Sequence, residues 1–597
     1  MLAAGERALH VDGDLAGARC WFAKAYAAAE QVGDREVMAA AALGLGGLWV
    51  HEHRTAADAA SVEEQQRDAL AALDPRSSLA LRLRARLAAE SDYQAVRSEE
   101  ILPIVDEARL AGDPVALAEA LSLAHHCLLG PEHADLRLDL ASELLRAGSR
   151  TRRPSDAVMG LLWRTVDLFL LGDPHAERSL AELSGSAHAD RNAAVAFARS
   201  GMRVMLSIRD GKLDEAERLA DECAEQGRAA GDADHLGWYG AQLVAIRWYQ
   251  GRVGELVGVL SEIAKSPTLS ATDNAFLGGL AVAAATAGDT RLARGALARL
   301  RGTDLGALAR SSTWMCAMNG AAEAAELLGD ADTAAQVYAL LLPYARLPVM
   351  ASLAAACFGS THHALGVASL AVGEVDRAIG HFRTAVEKNA ALGHWPAATT
   401  SRYRLAEALT LRGDQRSADA EHAAATREAA SLGLAPQVVC TRGGRQWRLE
   451  LGARSAVVDD SVGVRYLATL IANPGVEVPA VELAAGVSAT SAQAVLDEPA
   501  LRQYRQRLRE LRAEIEEADG ERAARLRADA DWLADELGAA TGLGGKARQF
   551  TDNPERARIA VGKAIRRALD RVAAADAVIG DHLRAAVTTG MRCSYRP

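Results

Sequence analysis

The stretch "GEVDRAIGHFRTA", Gly373 to Ala385, decides the fold of this chain. It opens on a turn glycine, and Ala378, Phe382 and Ala385 follow at offsets of 5, 9 and 12. An α-helix places those three positions on one face. The same spacing stands in "GDLAGARCWFAKA" (13–25), as Gly13, Ala18, Phe22 and Ala25. Gly329 is followed by Ala334, Tyr338 and Leu341, Gly288 by Ala293, Leu297 and Leu300, and Gly251 by Leu256, Leu260 and Ile263. The small residue lets a neighbouring helix approach, and the larger one a turn later fills the gap.

Turn glycines at Gly211, Gly251, Gly288, Gly329, Gly373 and Gly413 are spaced 40, 37, 41, 44 and 40 residues apart. A second glycine often follows 20 residues on, as in Gly13/Gly33, Gly211/Gly231 and Gly373/Gly393. Each unit is therefore expected to be two helices with a turn between them. The pattern resembles the tetratricopeptide repeat in its longer form. It covers roughly residues 1–435 and fades over 60–200, where Gly172 lacks the small residue at offset 5. The resemblance implies a helical superhelix whose concave surface binds a protein or peptide.

Bulk composition agrees with a mainly α protein. Hydrophobic residues make up 50% of the 597 and aromatic ones only 4%, so alanine and leucine supply the apolar content. The net charge of -11 excludes nucleic-acid binding by bulk charge. That charge is uneven: residues 441–597 hold 24 Lys and Arg against 22 Asp and Glu, and from Pro554 onward nine basic residues face four acidic ones. An anionic partner is expected at that end. Seven scattered cysteines without a CxxC suggest free thiols in a reducing compartment, and a cytoplasmic location is expected. "MLAAGERALHVDGD" puts charges and a turn where a secretory leader carries its apolar core. The uncharged run 347–373 has Ser, Thr and two His at its middle and reads as buried helices, not a membrane span.

After residue 435 the texture changes. "WRLEL" and "SAVVD" around Gly452 predict a β-hairpin, and "SVGVRYLATLIANPG" a helix stopped by Pro474–Gly475. A short helix is expected near Pro479. Within residues 491–550, Leu501, Tyr504, Leu508, Leu511 and Ile515 are answered by Leu526, Ala530, Leu533 and Leu537, which predicts an antiparallel coiled-coil hairpin as an insertion. Residues 551–597 then give a basic helix with Val561, Ile565, Ala568 and Val572 as its buried stripe. A second helix ends at Gly590, and "MRCSYR" follows as a strand.

With the insertion set aside, residues 436–490 and 551–597 resemble a winged helix of the response-regulator effector type. "IANPG", "ARIAVGKAIRRALDRV" and "TTGMRCSY" stand where that family has its first helix end, recognition helix and closing strand. Taken end to end, the chain resembles actinobacterial regulators of the LuxR-like and AfsR-like ATPase group. The likeness rests on "AAGERALHVDGDLAGARCWFAKAYAAAEQVGD", "ALGLGGLWVHEHR", "LGLAPQVVCTRGGRQWRLELGARSAVVDDSVGVRYLATLIANPG" and the basic-helix segment. It implies a signalling or transcriptional role. The nucleotide-binding module of that group has no counterpart here. "GLGGKA" (542–547) has Ala540 and Ala547 where a Walker loop needs glycine and Ser or Thr.

The expected fold is thus a tetratricopeptide-type α-solenoid followed by a small α+β winged-helix-like module. Arg556, Arg558, Lys563, Arg566, Arg567 and Arg571 are the expected DNA contacts. No metal, cofactor or enzymatic activity is expected. The residues of "HEH" (His51, Glu52, His53) are adjacent and do not face one ion, while His125–His126–Cys127 and His362–His363 read as helix-packing groups. No GxSxG occurs. The alternative is a protein–protein adaptor without DNA binding, its acidic repeats meeting a basic partner.

Overall fold

The computed structural model describes residues 1–597 apart from 51, 54, 152, 266–273, 303, 435–437, 444–445, 452–453, 474–475, 486–553 and 596–597, and apart from the side chains of 439, 443, 485 and 554–556. The chain is mainly helical and forms two compact units, Met1–Ala435 and Pro436–Pro597.

Successive helices of the first unit pack as antiparallel neighbours. Examples are Leu15–Val32 with Arg35–Leu45, Leu213–Ala230 with His235–Tyr249, and Val375–Ala391 with Trp395–Arg412. The dipeptide Gly-Asp sets many of the turns. Gly13, Gly33, Gly112, Gly288, Gly329 and Gly413 all have φ between 61° and 86°, the left-handed conformation that ends a helix. The aspartate after each one caps the next helix: Asp14 accepts from Gly17 N at 2.8 Å and Asp289 from Leu292 N at 2.9 Å. Phe22 and Phe382 are fully buried. A methyl group on Gly5 would come within 2.8 Å of the Phe22 ring, and one on Gly366 within 2.6 Å of the Phe382 ring. Helices therefore touch where a glycine of the preceding helix meets a phenyl face.

The superhelix closes on itself after about five repeats. Arg19 Nη1 donates to the Gly231 carbonyl, 212 residues along the chain, at 3.3 Å. Arg346 reaches Asp135, 211 residues away, at 3.1 Å. A Cβ on Gly13 would sit 2.2 Å from Asn192 Oδ1, and one on Gly231 2.8 Å from Ala16 Cβ. Gly172 lies similarly against Leu392, and Gly211 against Leu432. At these glycines segments about 180–220 residues apart in the chain are in direct contact.

A β-hairpin fills part of that interior, and it corrects the expectation of buried helices across 347–373. Strands Pro348–Ala351 and Ala356–Ser360 pair antiparallel, with Met350 opposite Cys357, and the helix starts only at Thr361. Val349, Ala354, Ala355, Ala356 and Cys357 have no exposed surface. A hairpin edge buried among helices must find partners for its backbone groups. Ser352 N donates to Ser312 O at 3.1 Å, Gln242 Nε2 to Ala355 O at 3.3 Å, and Asn389 Oδ1 accepts from Ser360 N at 2.7 Å. His394 Nε2 lies 3.0 Å from Cys357 O. The alanine-rich sequence favours a helix locally. The interior admits a thin ribbon of small side chains and the helices supply its hydrogen bonds, so tertiary context overrides propensity.

The second unit begins with a three-stranded antiparallel sheet, Val439–Gly443, Gln446–Leu451 and Arg454–Asp459, where a two-stranded hairpin was expected. Helices Val462–Ile471, Ala480–Ala485, Pro554–Ala575 and Ala577–Ala586 follow among the described residues. A second small sheet places Arg592–Tyr595 between Val478–Pro479 and Val587–Thr588. The last helix stops at Ala586, not Gly590, because Val587 and Thr588 leave it to pair with Tyr595 and Ser594. Val561, Ile565, Ala568 and Val572 are all fully buried against Leu449, Leu467 and Leu470. The expected coiled hairpin of 491–550 lies outside the described residues.

Phe382→Ala should destabilise the chain by about 3–5 kcal/mol, the usual effect of emptying a buried phenyl site. Chemical denaturation of the two proteins measures it. A pH effect is also expected. Burial, then the nearby Arg209 guanidinium, pushes His394 down to about 3 against the hydrogen bond to the Cys357 carbonyl. Burial, then Arg153, holds His10 at about 3. Both stay neutral in the folded chain while an unfolded histidine takes a proton below about 6.5. Unfolding therefore binds protons, and stability falls as pH drops from 7 toward 4. Thermal midpoints of His394→Gln should fall less over that range than those of the natural chain.

Candidate functional sites

The expected DNA contacts divide into distinct groups. Lys563, Arg566 and Arg567 are exposed and share one face of the helix Pro554–Ala575, at i, i+3 and i+4. Arg566 Nε donates to the carbonyl of Gly562 at 3.1 Å. A Cβ on Gly562 would lie 3.9 Å from Thr589, so this part of the helix runs beside the turn of the final hairpin. Met591 of that turn is 52% exposed. Arg571 is engaged elsewhere. Its Nη2 donates at 2.6 Å to Ser461 Oγ, the hydroxyl that caps the helix Val462–Ile471. Arg558 is half-buried and also engaged. The Arg556 side chain lies outside the described residues.

Most other arginines among the described residues of this unit are bound to carboxylates. Arg442 and Arg465 share Asp460, Arg454 pairs with Asp576 at 2.8 Å, and Arg592 pairs with Glu477 at 3.2 Å. Arg584 bridges Asp570 and Asp581, both at 3.0 Å. The hydrogen bonds from Arg465 hold the Asp460 carboxyl well below its ordinary range. Among the described residues, no carboxylate pairs with Lys563, Arg566 or Arg567. These three, with Arg571, whose described partner is the neutral Ser461 hydroxyl, are exposed cations of this helix that no described carboxylate neutralises.

In the first unit, the histidine clusters serve packing. Glu52 pairs with Arg19 at 2.7 Å and accepts from Trp49 N at 2.8 Å, and His53 lies 2.9 Å from Leu45 O. His51 lies outside the described residues. His125 sits 2.7 Å from Asp167, which also takes Arg137 at 2.8 Å, and all three are buried. His363 lies between Glu323 and Ser401, and His362 lies 3.0 Å from His381. Glu119 gathers Arg82 at 2.6 Å and Arg153 at 2.8 Å. Burial works against its charge, but the two guanidiniums win and hold it well below the carboxylate range. Among the described residues, no group of three His, Cys, Asp or Glu is placed to hold a metal, and no helix is long and apolar enough to cross a membrane.

The sequence did not point to the cavity of about 110 Å³ inside the repeat unit. Seven of the chain's 7 Phe, 9 Trp and 10 Tyr line it, although they come from separate repeats. Trp49 and Tyr93 approach from the first repeats, where both rings meet His126. Phe197 and Trp238 stack with centroids 4.6 Å apart. Trp248 meets Phe358 of the interior hairpin edge-on at 5.8 Å, and Phe276 completes the wall. The hairpin turn forms the floor. There Ser352 and Ala354 hold φ of 49° and 61°, a left-handed conformation that side-chain-bearing residues adopt at a cost. Asp232, nearly buried, and the exposed Asp234 add carboxylates. The only sequence signal was the clustering of rare aromatic residues in "GWYG" (237–240) and "RWYQ" (247–250).

No family model matches this chain, and no curated protein matches it. Among solved structures, a circular tandem repeat protein with novel repeat topology and enhanced subunit contact surfaces is matched over 90% of this chain and 98% of that chain. The sequence identity is 14% and the TM-score 0.11, too low an overlap to carry any argument.

Proposed function

We propose that the chain is a non-enzymatic regulator whose repeat unit binds a partner and whose C-terminal unit contacts duplex DNA. The observation that supports this reading is the exposed face of Lys563, Arg566 and Arg567 beside the final hairpin, which no described carboxylate neutralises, in a unit whose other described arginines are mostly bound to carboxylates. A helix carrying cations next to an exposed hairpin turn is suited to lie along a phosphate backbone, with the hairpin as a wing. In this reading Arg571, exposed and holding Ser461 through Nη2, orients the helix and keeps its charge on the same surface. The likeness to actinobacterial regulators noted in the sequence agrees with such a role.

The repeat unit favours a second reading. Residues 1–440 hold 43 Lys and Arg against 56 Asp and Glu, and an adaptor that captures a basic protein would use that acidic surface.

Fluorescence anisotropy of labelled duplex with the full chain, titrated with salt, distinguishes the two. The regulator reading expects log affinity to fall with log salt at about −0.9 per phosphate contact. Arg566→Ala with Arg567→Ala should reduce that slope by about 2 and leave the thermal midpoint unchanged, since both side chains are exposed. An unchanged slope would remove this face as the contact surface. Absence of binding at low salt would leave the adaptor.

A further inference from the structure

We infer that the cavity of the repeat unit binds a neutral single-ring aromatic compound that carries one hydrogen-bonding group, an amide or a hydroxyl. This inference stands apart from the DNA-contacting reading and uses no residue of the C-terminal unit. The first support is the wall. Seven aromatic side chains gather here in a chain that is only 4% aromatic, and they belong to helices and a hairpin far apart in sequence. Aromatic rings packed edge to face or offset attract one another beyond the apolar area they bury. The space, about 110 Å³, is of the order of the ~150 Å³ apolar cavity that takes up benzene.

The second support is a glycine that packing does not require. The helices Ala275–Thr286 and Trp314–Leu328 pack closely at Gly278 and Gly320, where a Cβ on Gly320 would come within 2.8 Å of the Gly278 backbone. Those two glycines are set by the close approach. Gly279, the next residue, is also buried and lines the cavity. A Cβ there would make only ordinary contacts, 3.8 Å to Leu260 Cδ1 and 4.0 Å to Val244 Cγ1. Glycine inside a helix is less favourable than alanine. What the missing side chain leaves is room in the cavity.

The third support is an unused amide. Asn319, beside Gly320, is 4% exposed and lines the cavity, and among the described residues its side chain makes no hydrogen bond. An amide offers both an acceptor and donors, and a buried polar group left unpaired is unfavourable. A ligand amide or hydroxyl would satisfy it. Charge plays no part in the choice. Asp232 and Asp234 are already engaged within the protein, Asp232 Oδ1 by the Asp234 N–H at 2.8 Å. No lysine or arginine is among the described lining residues. An ion of either sign would lose its water here and gain no free counter-charge.

The experiment uses the full chain, with calorimetry and tryptophan fluorescence as readouts. The probes are benzamide, its ionic counterparts benzamidine and benzoate, its saturated counterpart cyclohexanecarboxamide, and toluene. Benzamide should bind saturably and about tenfold more tightly than any other probe. Asn319→Leu exchanges the amide for an apolar group of similar shape and removes no hydrogen bond, so it should keep the thermal midpoint. It should bind benzamide about tenfold more weakly and toluene as before. Gly279→Val puts methyl groups into the space and should weaken benzamide and toluene alike, and the asparagine arm holds even if this variant does not fold. Equal binding of benzamide and any other probe would overturn the inference. So would absence of saturable benzamide binding at tens of millimolar, or undiminished benzamide affinity in either variant at the natural thermal midpoint.

Discussion

The repeat unit depends on a buried hairpin whose backbone polar groups are satisfied by the helices around it. Ser312, Gln242, Asn389 and His394 come from helices or turns spread over about 150 residues, and each provides one hydrogen bond to the ribbon 348–360. Without those partners the ribbon would bury unmade backbone donors and acceptors. Without the ribbon the helices would enclose an empty space that close packing disfavours. The helices and the hairpin therefore specify each other, and the tight superhelical turn follows. Gly13 against Asn192 and Gly231 against Ala16 mark where one turn presses on the next with no room for a side chain.

This geometry changes what a helical repeat can do. An open superhelix offers a long groove for an extended peptide. Here successive turns touch, the interior holds the hairpin, and the remaining space is a compact aromatic chamber with carboxylates at one side. A repeat fold retains capacity for protein interaction on its outer surfaces, which are rich in exposed acidic residues.

The C-terminal unit shows a different economy. Its fold is fixed by one buried stripe, Val561, Ile565, Ala568 and Val572, packed on the first sheet and its helix. Tyr595 closes the unit by accepting from Val438 N at 2.9 Å, joining the two ends of this segment. Most arginines on the described surface are bound to carboxylates through pairs such as Arg454–Asp576, which depress the acids and leave little net field. Against that neutralised background, the exposed cations Lys563, Arg566, Arg567 and Arg571 of one helix stand out as electrostatic surface.

The sequence by itself determined the local rules. A left-handed glycine followed by a capping aspartate sets turns such as Gly13–Asp14 and Gly413–Asp414. A small residue then a large one, as at Ala378 and Phe382, sets the helix contacts. These were legible because each works over a few residues of one helix. The basic face of the penultimate helix was legible for the same reason, since i, i+3 and i+4 positions adjoin in any α-helix. Only the tertiary structure decided that 348–360 is strand, because an alanine-rich segment favours helix until surrounding side chains supply hydrogen bonds along a narrow interior. It alone showed that Arg571 bonds a serine from 110 residues earlier. And it alone assembled the aromatic chamber, because Trp49, Phe197 and Phe358 share no periodicity and meet only when the superhelix closes around them.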